Sequence, residues 1–385
     1  MIITKSKSID ILNNLSYWAV LMVAMMGAAV TTLMPLMVGA FTDSQLFSTQ
    51  QVGFLTASDV AGILIASTSA YFWVRKCHWQ KLVSLSLVIF IIANVATTWV
   101  NDFYLLIAVR FVAGLACGIS YSIALAALGD RKSPDKAFGD MVTIQVIYGT
   151  VGFAVLPYFI KIWGFSGVFQ FFNITLIIAL ILTLITYPSN NKQQTNVNLT
   201  SNIHWLSASL VFSGVVFYYF AQGTIWAYLE RIGVAAGLSI SEIGTILGIG
   251  FAISAIGSWL SGWSVERIGR PAAIWLTVIV QLPCLLALFY MKPSNALLIY
   301  GFATIIYQIF WSYIVPIMMG IFNDVDDSGR LIVFCIAAFK VGLVIGPPVA
   351  ALIISIYSLN HVIGLGAIAI VVSAIFLVQA DKSVR

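Results

Sequence analysis

The segment DFYLLIAVRFVAGLACGISYSIALAAL, residues 102–128, is apolar along almost its whole length, with Arg110 as its only internal charge. A helix of about 20 apolar residues crosses the ~30 Å hydrocarbon core of a bilayer, so this segment is long enough to span a membrane. A charge inside such a span is costly unless it has a partner or faces a water-filled cavity. The segment therefore indicates a membrane-spanning helix whose arginine has a structural or functional role.

The composition of the whole chain agrees with this segment. Of 385 residues, 61% are hydrophobic and 9% are charged, whereas soluble domains have roughly 25% charged residues. A soluble fold would lack the polar surface that faces water, so the composition excludes that class of protein. The net charge of +5 follows from the cytoplasmic Lys and Arg described below, and we expect no nucleic-acid partner.

Apolar segments of this length recur along the chain. A membrane β-barrel would alternate apolar and polar residues, which LIIALILTLI at 176–185 does not do. Helices satisfy their backbone hydrogen bonds within one segment and are therefore the expected spanning element. The sequence predicts an all-α integral membrane protein with twelve transmembrane helices, at residues 16–40, 50–74, 80–99, 102–128, 138–162, 166–187, 204–230, 241–264, 271–291, 294–322, 329–357 and 359–379.

The positions of Lys and Arg predict the orientation, because cytoplasmic loops are enriched in both. With the N-terminus in the cytoplasm, only Lys161, Arg231 and Lys292 fall outside, and Arg110 and Lys340 lie within spans. We therefore predict a multi-pass protein of the cell membrane, of the bacterial inner-membrane type, with both termini cytoplasmic. The predicted cytoplasmic residues are Lys5, Lys7, Arg75, Lys76, Lys81, Arg131, Lys132, Lys136, Lys192, Arg267, Arg270, Arg330, Lys382 and Arg385.

One long polar stretch, PSNNKQQTNVNLTSN at residues 188–202, separates six spans from six. Its composition is that of a flexible linker. Transporters built from parallel repeats use such a six-plus-six arrangement. We predict an N-terminal six-helix bundle at 1–187, a cytoplasmic linker at 188–203 and a C-terminal six-helix bundle at 204–385.

Related motifs follow spans two and eight. The motif after span eight, GWSVERIGRP at residues 262–271, has the pattern Gly, three residues, an acid, Arg, any residue, Gly, Arg. The residues that fill this pattern are Gly262, Glu266, Arg267, Gly269 and Arg270. The motif after span two, AYFWVRKCHW at residues 70–79, keeps Arg75. In place of the Gly, the acid, the second Gly and the last Arg of the pattern it has Ala70, Val74, Cys77 and His78.

Further features complete a family resemblance. Span one ends in LMPLMVG with Pro35, span four carries Arg110 followed by Gly114 and Gly118, and the loop GDRKSPDKAFGD covers residues 129–140. With the loop motifs, these features resemble the major facilitator superfamily of transporters over essentially the whole chain. The resemblance implies two six-helix bundles related by pseudo-twofold symmetry, with spans one, four, seven and ten lining a central cavity. It also implies gating roles for Arg75, Glu266, Arg267 and Arg270.

Asp59 and Arg110 are charged residues that we expect to face each other. Each shares a helical stripe with small residues, which let neighbouring helices approach closely. Their positions in spans two and four place them ~14 Å and ~12 Å from the outer membrane edge, so they are natural partners. Two interpretations stay open: a fixed ion pair that locks the two spans, or a coupling site at which Asp59 exchanges a proton and Arg110 tunes it.

The candidate substrate-binding residues lie on spans five, seven, ten and eleven. Lys340 is ~16 Å deep in span eleven. The family resemblance implies that spans two and eleven face each other, so that Lys340 could reach Asp59 or present its charge to an anionic solute; snorkelling toward an interface is the alternative. Aromatic and amide side chains suit a ring-bearing organic solute, although helix packing and interfacial belts also use aromatic residues. These remaining candidates are Tyr218, Gln222, Tyr307, Gln308, Trp311, Gln145 and Tyr148.

The motifs favour a transporter over an enzyme. The sequence has no Walker-type GxxxxGK[ST] for ATP and no G-x-S-x-G or HExxH, and we expect neither a cofactor nor a metal. We predict a monomeric secondary transporter in the lipid bilayer that moves a small organic solute, anionic or aromatic or both, by alternating access. Arg110 and Lys340 favour the anion. The expected coupling is proton symport, with sodium as the alternative ion and proton-coupled drug or metabolite efflux by antiport as the alternative function.

Overall fold

The computed structural model describes residues 2–131, 133–190, 205–325 and 332–384, and in these ranges the chain forms helices and no strand. A short 3-10 turn, Pro293–Asn295, precedes α11. The helices are α1 (Ile2–Thr32), α2 (Met34–Asp43), α3 (Thr49–Trp73), α4 (Trp79–Thr97), α5 (Phe103–Gly129), α6 (Pro134–Trp163), α7 (Ser166–Ile185), α8 (Trp205–Ala235), α9 (Ile240–Ile268), α10 (Arg270–Phe289), α11 (Ala296–Asp324), α12 (Ile332–Ile356) and α13 (Leu359–Val384).

Within the described residues, 12 helical stretches are long and apolar enough to cross a membrane, which confirms the predicted all-α fold with twelve spans. The predicted span at 16–40 is divided between α1 and α2, with a break at Leu33. Pro35 explains the break, because proline has no N–H to donate and its ring clashes with the carbonyl four residues earlier. Span seven is longer than predicted, since α8 extends past residue 230 to Ala235.

The first compact unit comprises Met1–Leu33, Ser58–Tyr148 and Phe159–Asn196. In it, α5 packs against α1 and α4, and α7 packs against the same two helices. Glycines bring α3 and α5 into backbone contact: a Cβ on Gly114 would meet the carbonyl of Asp59, and one on Gly62 would meet the backbone of Phe111. The small-residue stripe inferred from the sequence is thus where two helices touch.

The second compact unit comprises Met34–Ala57, Gly149–Tyr158 and Val197–Arg385. Here α8 packs along α12 and α13, while α11 packs along α9 and α10. Close approach again depends on glycine, because a Cβ on Gly342 of α12 would meet the backbone of Phe220 on α8. A Cβ on Gly257 of α9 would likewise meet the carbonyl of Ile309 on α11.

The predicted domain boundaries follow chain order, whereas compactness groups residues 34–57 and 149–158 with the second unit. The division at 187 and 204 stays a prediction. The predicted linker lies outside the described residues from residue 191 onward. Lys132, Lys192, Arg330 and Arg385 also lie outside them, so the orientation inferred from basic residues stays a prediction too.

Candidate functional site

A buried ion pair joins α3 and α5 in the first unit. The Nη2 atom of Arg110 lies 2.6 Å from Oδ1 of Asp59, and its Nε donates to Oδ2 at 3.0 Å. The two side chains are 0% and 1% exposed. The sequence predicted these two residues to be partners because they lie at similar depths in the membrane. They meet in a two-point contact, the geometry in which an arginine and a carboxylate bind most strongly.

The rest of the Arg110 guanidinium is also occupied. Its Nη1 atom donates to Oδ1 of Asn94 at 2.9 Å and to Oγ1 of Thr97 at 3.3 Å. Its Cζ atom lies 4.6 Å from the centre of the Phe169 ring, within the range of a cation–π contact. Arg110 thus contacts α3, α4 and α7 from α5, and Asp59 offsets its charge.

Asn94 and Thr97 were not among the residues predicted from the sequence. Both are buried polar residues on α4, three positions apart and therefore on one face of the helix. That spacing was the available signal. Asn94 also donates to Oδ1 of Asn173 on α7 at 2.9 Å, so the hydrogen bonds around the ion pair continue to a fourth helix.

A second polar group lies in the second unit and consists of amides and phenols. Gln222 of α8 donates to the Tyr307 hydroxyl of α11 at 2.9 Å. Gln281 of α10, which the sequence did not single out, donates to the Tyr218 hydroxyl at 3.0 Å and to the Tyr307 carbonyl at 3.2 Å. The structure therefore brings together Tyr218, Gln222 and Tyr307 of the predicted set, and all four side chains are buried.

Gln308 and Trp311 lie on the part of α11 that contacts α9. The Gln308 amide fills the space that a Cβ on Gly250 would take. Trp311 stacks on Phe251 with ring centres 6.5 Å apart. Lys340 is half-buried on α12, next to Phe339, whose ring stacks on Tyr219 at 4.2 Å.

Gln145 and Tyr148 make helix-packing contacts in the first unit. Gln145 of α6 donates to the Ala24 carbonyl of α1 at 3.1 Å. The Tyr148 hydroxyl is 3.3 Å from Oγ1 of Thr175 on α7, and its ring stacks on Phe171. Both side chains hold helices of the first unit together, and their substrate-binding role stays a prediction.

The predicted gating residues divide into paired and exposed ones. Arg75 binds both carboxylate oxygens of Asp130 at the end of α5, at 2.6 and 2.9 Å. Arg270 pairs with Asp324 at the end of α11 and lies 3.5 Å from Asp381 of α13. The other two, Glu266 and Arg267, are exposed, and the Arg267 guanidinium lies over the Trp263 ring.

A charged cluster near the C-terminal end of α8 was not predicted from the sequence. Glu230 is 1% exposed and accepts hydrogen bonds from Nε and Nη2 of Arg231. Arg231 also binds both carboxylate oxygens of Asp43, the last residue of α2. The apolar stripe of α8 continues past this acid to Ala235. This pattern in the sequence could have indicated that Glu230 lies inside the span.

Comparisons with known proteins agree with this architecture. A family model described as the Major Facilitator Superfamily matches residues 18–326 and, in a second match, residues 211–385. An uncharacterised MFS-type transporter of Yersinia pestis (strain Pestoides F) is 22% identical over 344 residues, which is 86% of each chain.

Two solved structures share the fold alone. The crystal structure of a D-xylose–proton symporter has a TM-score of 0.72 and 13% identity, and covers 94% of this chain and 95% of its own. The nucleoside transporter NupG has a TM-score of 0.72 and 14% identity, and covers 94% and 99% of the two chains. The chain therefore belongs to the Major Facilitator Superfamily, and it is a multi-pass membrane transporter rather than an enzyme.

Proposed function

We propose that the protein is a proton-coupled symporter of a small organic solute, with Asp59 as the carboxylate that carries the proton. The observation on which this proposal depends is the buried pair between Asp59 and Arg110. A carboxyl group within a span and shielded from water changes charge only by gaining or losing a proton. Its partner is always charged, so the proton on Asp59 decides whether the pair is neutral.

Protonation of Asp59 changes the energy of the helices that the pair joins. It leaves Arg110 as a buried cation without a counter-charge, which is costly in a low-dielectric surrounding. Asn94, Thr97 and Phe169 still hold the guanidinium, so the contact that weakens is the one between α3 and α5. The α3 helix contributes residues to both compact units, and a proton on Asp59 therefore acts on an element that both units use.

The proposed solute is a small ring-bearing molecule with an acidic group. The amides and phenols around Tyr218 and Tyr307 offer neutral hydrogen-bonding groups among aromatic rings, which suits an organic ligand. Since Asp59 offsets the charge of Arg110, the preference for an anion depends on Lys340. Nicotinate and benzoate combine a ring with a carboxylate and are suitable first probes.

Uptake into sealed vesicles tests the coupling. We expect Asp59→Asn to abolish accumulation of labelled nicotinate or benzoate under a proton gradient, while exchange of the same solute between equal concentrations continues in part. Asp102→Asn is the matched control. Asp102 caps α5 by accepting from the Leu105 amide, and asparagine caps a helix as well as aspartate does.

Two results would contradict the proposal. One is normal proton-driven accumulation by Asp59→Asn. The other is accumulation by the parent protein that follows a sodium gradient and not a proton gradient, which would assign the coupling to sodium.

A further inference from the structure

One buried amide of the second unit lacks hydrogen bonds. Gln308 is 2% exposed, and neither its Nε2 nor its Oε1 atom has a hydrogen-bond partner in the described part of the chain. The amide lies against the backbone of Gly250, where a Cβ would collide with it. Glycine at this position therefore makes room for a polar group that the described residues do not satisfy.

The unpaired amide is unusual because the same unit satisfies its other buried amides. Gln222 and Gln281 are equally enclosed and donate to the phenols and backbone of neighbouring helices. A buried donor and acceptor without partners lose their hydrogen bonds to water and gain none in the protein, which destabilises the fold. Such groups in native proteins therefore need a specific explanation. A ligand that supplies the missing partners explains Gln308.

Four aromatic rings contact one another in the same unit, and two of them lie on the helices that carry Gln308 and Gly250. Trp311 is one turn beyond Gln308 on α11 and stacks on Phe251, which follows Gly250 on α9. The Phe153 ring is 6.2 Å from Phe251 and 5.9 Å from Trp226 of α8. Trp226 and Trp311 are half-buried, so the group of rings is not sealed.

We infer that Gln308 and these four rings bind a planar ring that carries a hydrogen-bond acceptor and an N–H donor side by side, as a carboxamide or a lactam does. A glutamine amide presents one oxygen and one NH₂ in a single plane. Its complement is therefore a second amide edge, which forms two parallel hydrogen bonds with it. Aromatic faces stack on planar rings in offset geometry, so Trp311 and Phe251 suit the rest of such a molecule.

Gln308 and the four rings together are called the Gln308 site. The inference rests on the proposed function, because this site would bind the ring-bearing part of the proposed solute. It consists of neutral side chains, so it recognises the ring and the amide edge and leaves any acidic group of the solute to other residues. Coupling through Asp59 does not depend on it. The two proposals therefore fail separately.

Binding to the purified protein tests the inference without any ion gradient. The probes are nicotinamide and benzamide, with methyl benzoate as a ring that has a carbonyl but no N–H. We expect the two amides to raise the melting temperature and to change tryptophan fluorescence through Trp226 and Trp311. Methyl benzoate should bind at least about tenfold more weakly, since it leaves the Gln308 oxygen unpaired.

Two variants separate binding from folding. Gln308→Leu should lose at least about tenfold in benzamide affinity yet keep or raise the melting temperature, because an apolar group of similar size replaces an unpaired polar one. Gln281→Leu, the matched stability control, should lower the melting temperature because it leaves buried hydrogen-bonding partners unpaired.

Each contrary result overturns the inference. These results are the absence of amide binding by the parent protein, equal binding of methyl benzoate, and unchanged benzamide affinity in Gln308→Leu. A melting temperature of Gln308→Leu as low as that of Gln281→Leu would also overturn it, because it would mean that Gln308 is hydrogen-bonded within the protein. Failure of proton-driven uptake in Asp59→Asn alone would leave it unchanged.

Discussion

At the scale of single residues, the energy of the buried pair depends on both partners being charged. Removing one partner of a buried ion pair costs about 3–5 kcal/mol, because the other is left as an uncompensated charge, whereas replacing both is often close to neutral. Asp59 and Arg110 are almost fully enclosed, so they belong to this class.

We therefore expect Asp59→Asn and Arg110→Gln each to lower the melting temperature of the purified protein more than the double variant does. Thermal unfolding of the four proteins in one detergent measures the coupling between the two sites. The control is Asp102→Asn at the exposed start of α5, which should leave the melting temperature unchanged. If the double variant is destabilised by the sum of the two single effects, the two charges do not stabilise each other.

Sequence reasoning identified this pair but not its surroundings, for a physical reason. A charge in an apolar span is visible in the sequence, and its depth follows from the rise of a helix. Asn94, Thr97 and Gln281 are uncharged, so the sequence does not tell which side chains they bind; the packed structure shows that they hold Arg110 and Tyr218. The crossing of neighbouring helices decides which face of each helix meets which partner, and periodicity along one helix does not contain that information.

At the scale of elements, α2 is held against α8 by charge and close packing. A Cβ on Gly39 of α2 would meet the Glu230 carboxylate of α8. Arg231 binds both Glu230 and Asp43 at the end of α2. Because Pro35 separates α2 from α1, these contacts rather than helix continuity fix the position of α2.

We expect Arg231→Gln to weaken the docking of α2 strongly and Asp43→Asn to weaken it little. The first leaves the enclosed Glu230 without its cation, at a cost of a few kcal/mol. The second removes a contact whose acid is 48% exposed, and such pairs contribute about 0–1 kcal/mol. Hydrogen exchange of residues 34–43 measures the docking directly, and equal effects of the two variants would argue against a role for buried Glu230.

At the scale of the whole molecule, the number of spans and their approximate limits followed from the sequence because hydrocarbon thickness sets a minimum length for each apolar segment. The grouping of the helices into two compact units did not follow from the sequence. Residues 34–57 and 149–158 cluster with the second unit although they precede the predicted linker. Chain order predicts which helices are consecutive, but contacts such as that between Gly53 of α3 and Ala351 of α12 depend on three-dimensional packing.

The predicted orientation of the whole molecule can be tested with Cys77. This residue follows the second span on the side predicted to be cytoplasmic and is half-buried, whereas Cys117, Cys284 and Cys335 are buried. A membrane-impermeant maleimide should therefore label Cys77 in inside-out vesicles and not in right-side-out vesicles. Cys77→Ser is the control and should remove the label in both.

The pH dependence of this labelling adds a second criterion. Burial raises the pKa of the Cys77 thiol above its ordinary value, and the thiol donates to the Val74 carbonyl at 3.4 Å. The thiolate is the nucleophile, so a raised pKa keeps the reactive fraction small near neutral pH and makes it grow as the pH rises. The labelling rate in inside-out vesicles should thus still be climbing at a pH where an unperturbed thiol, with its pKa near 8.5, has levelled off. Labelling confined to right-side-out vesicles would reverse the orientation, and a rate that levels off with the unperturbed thiol would place Cys77 in open solvent.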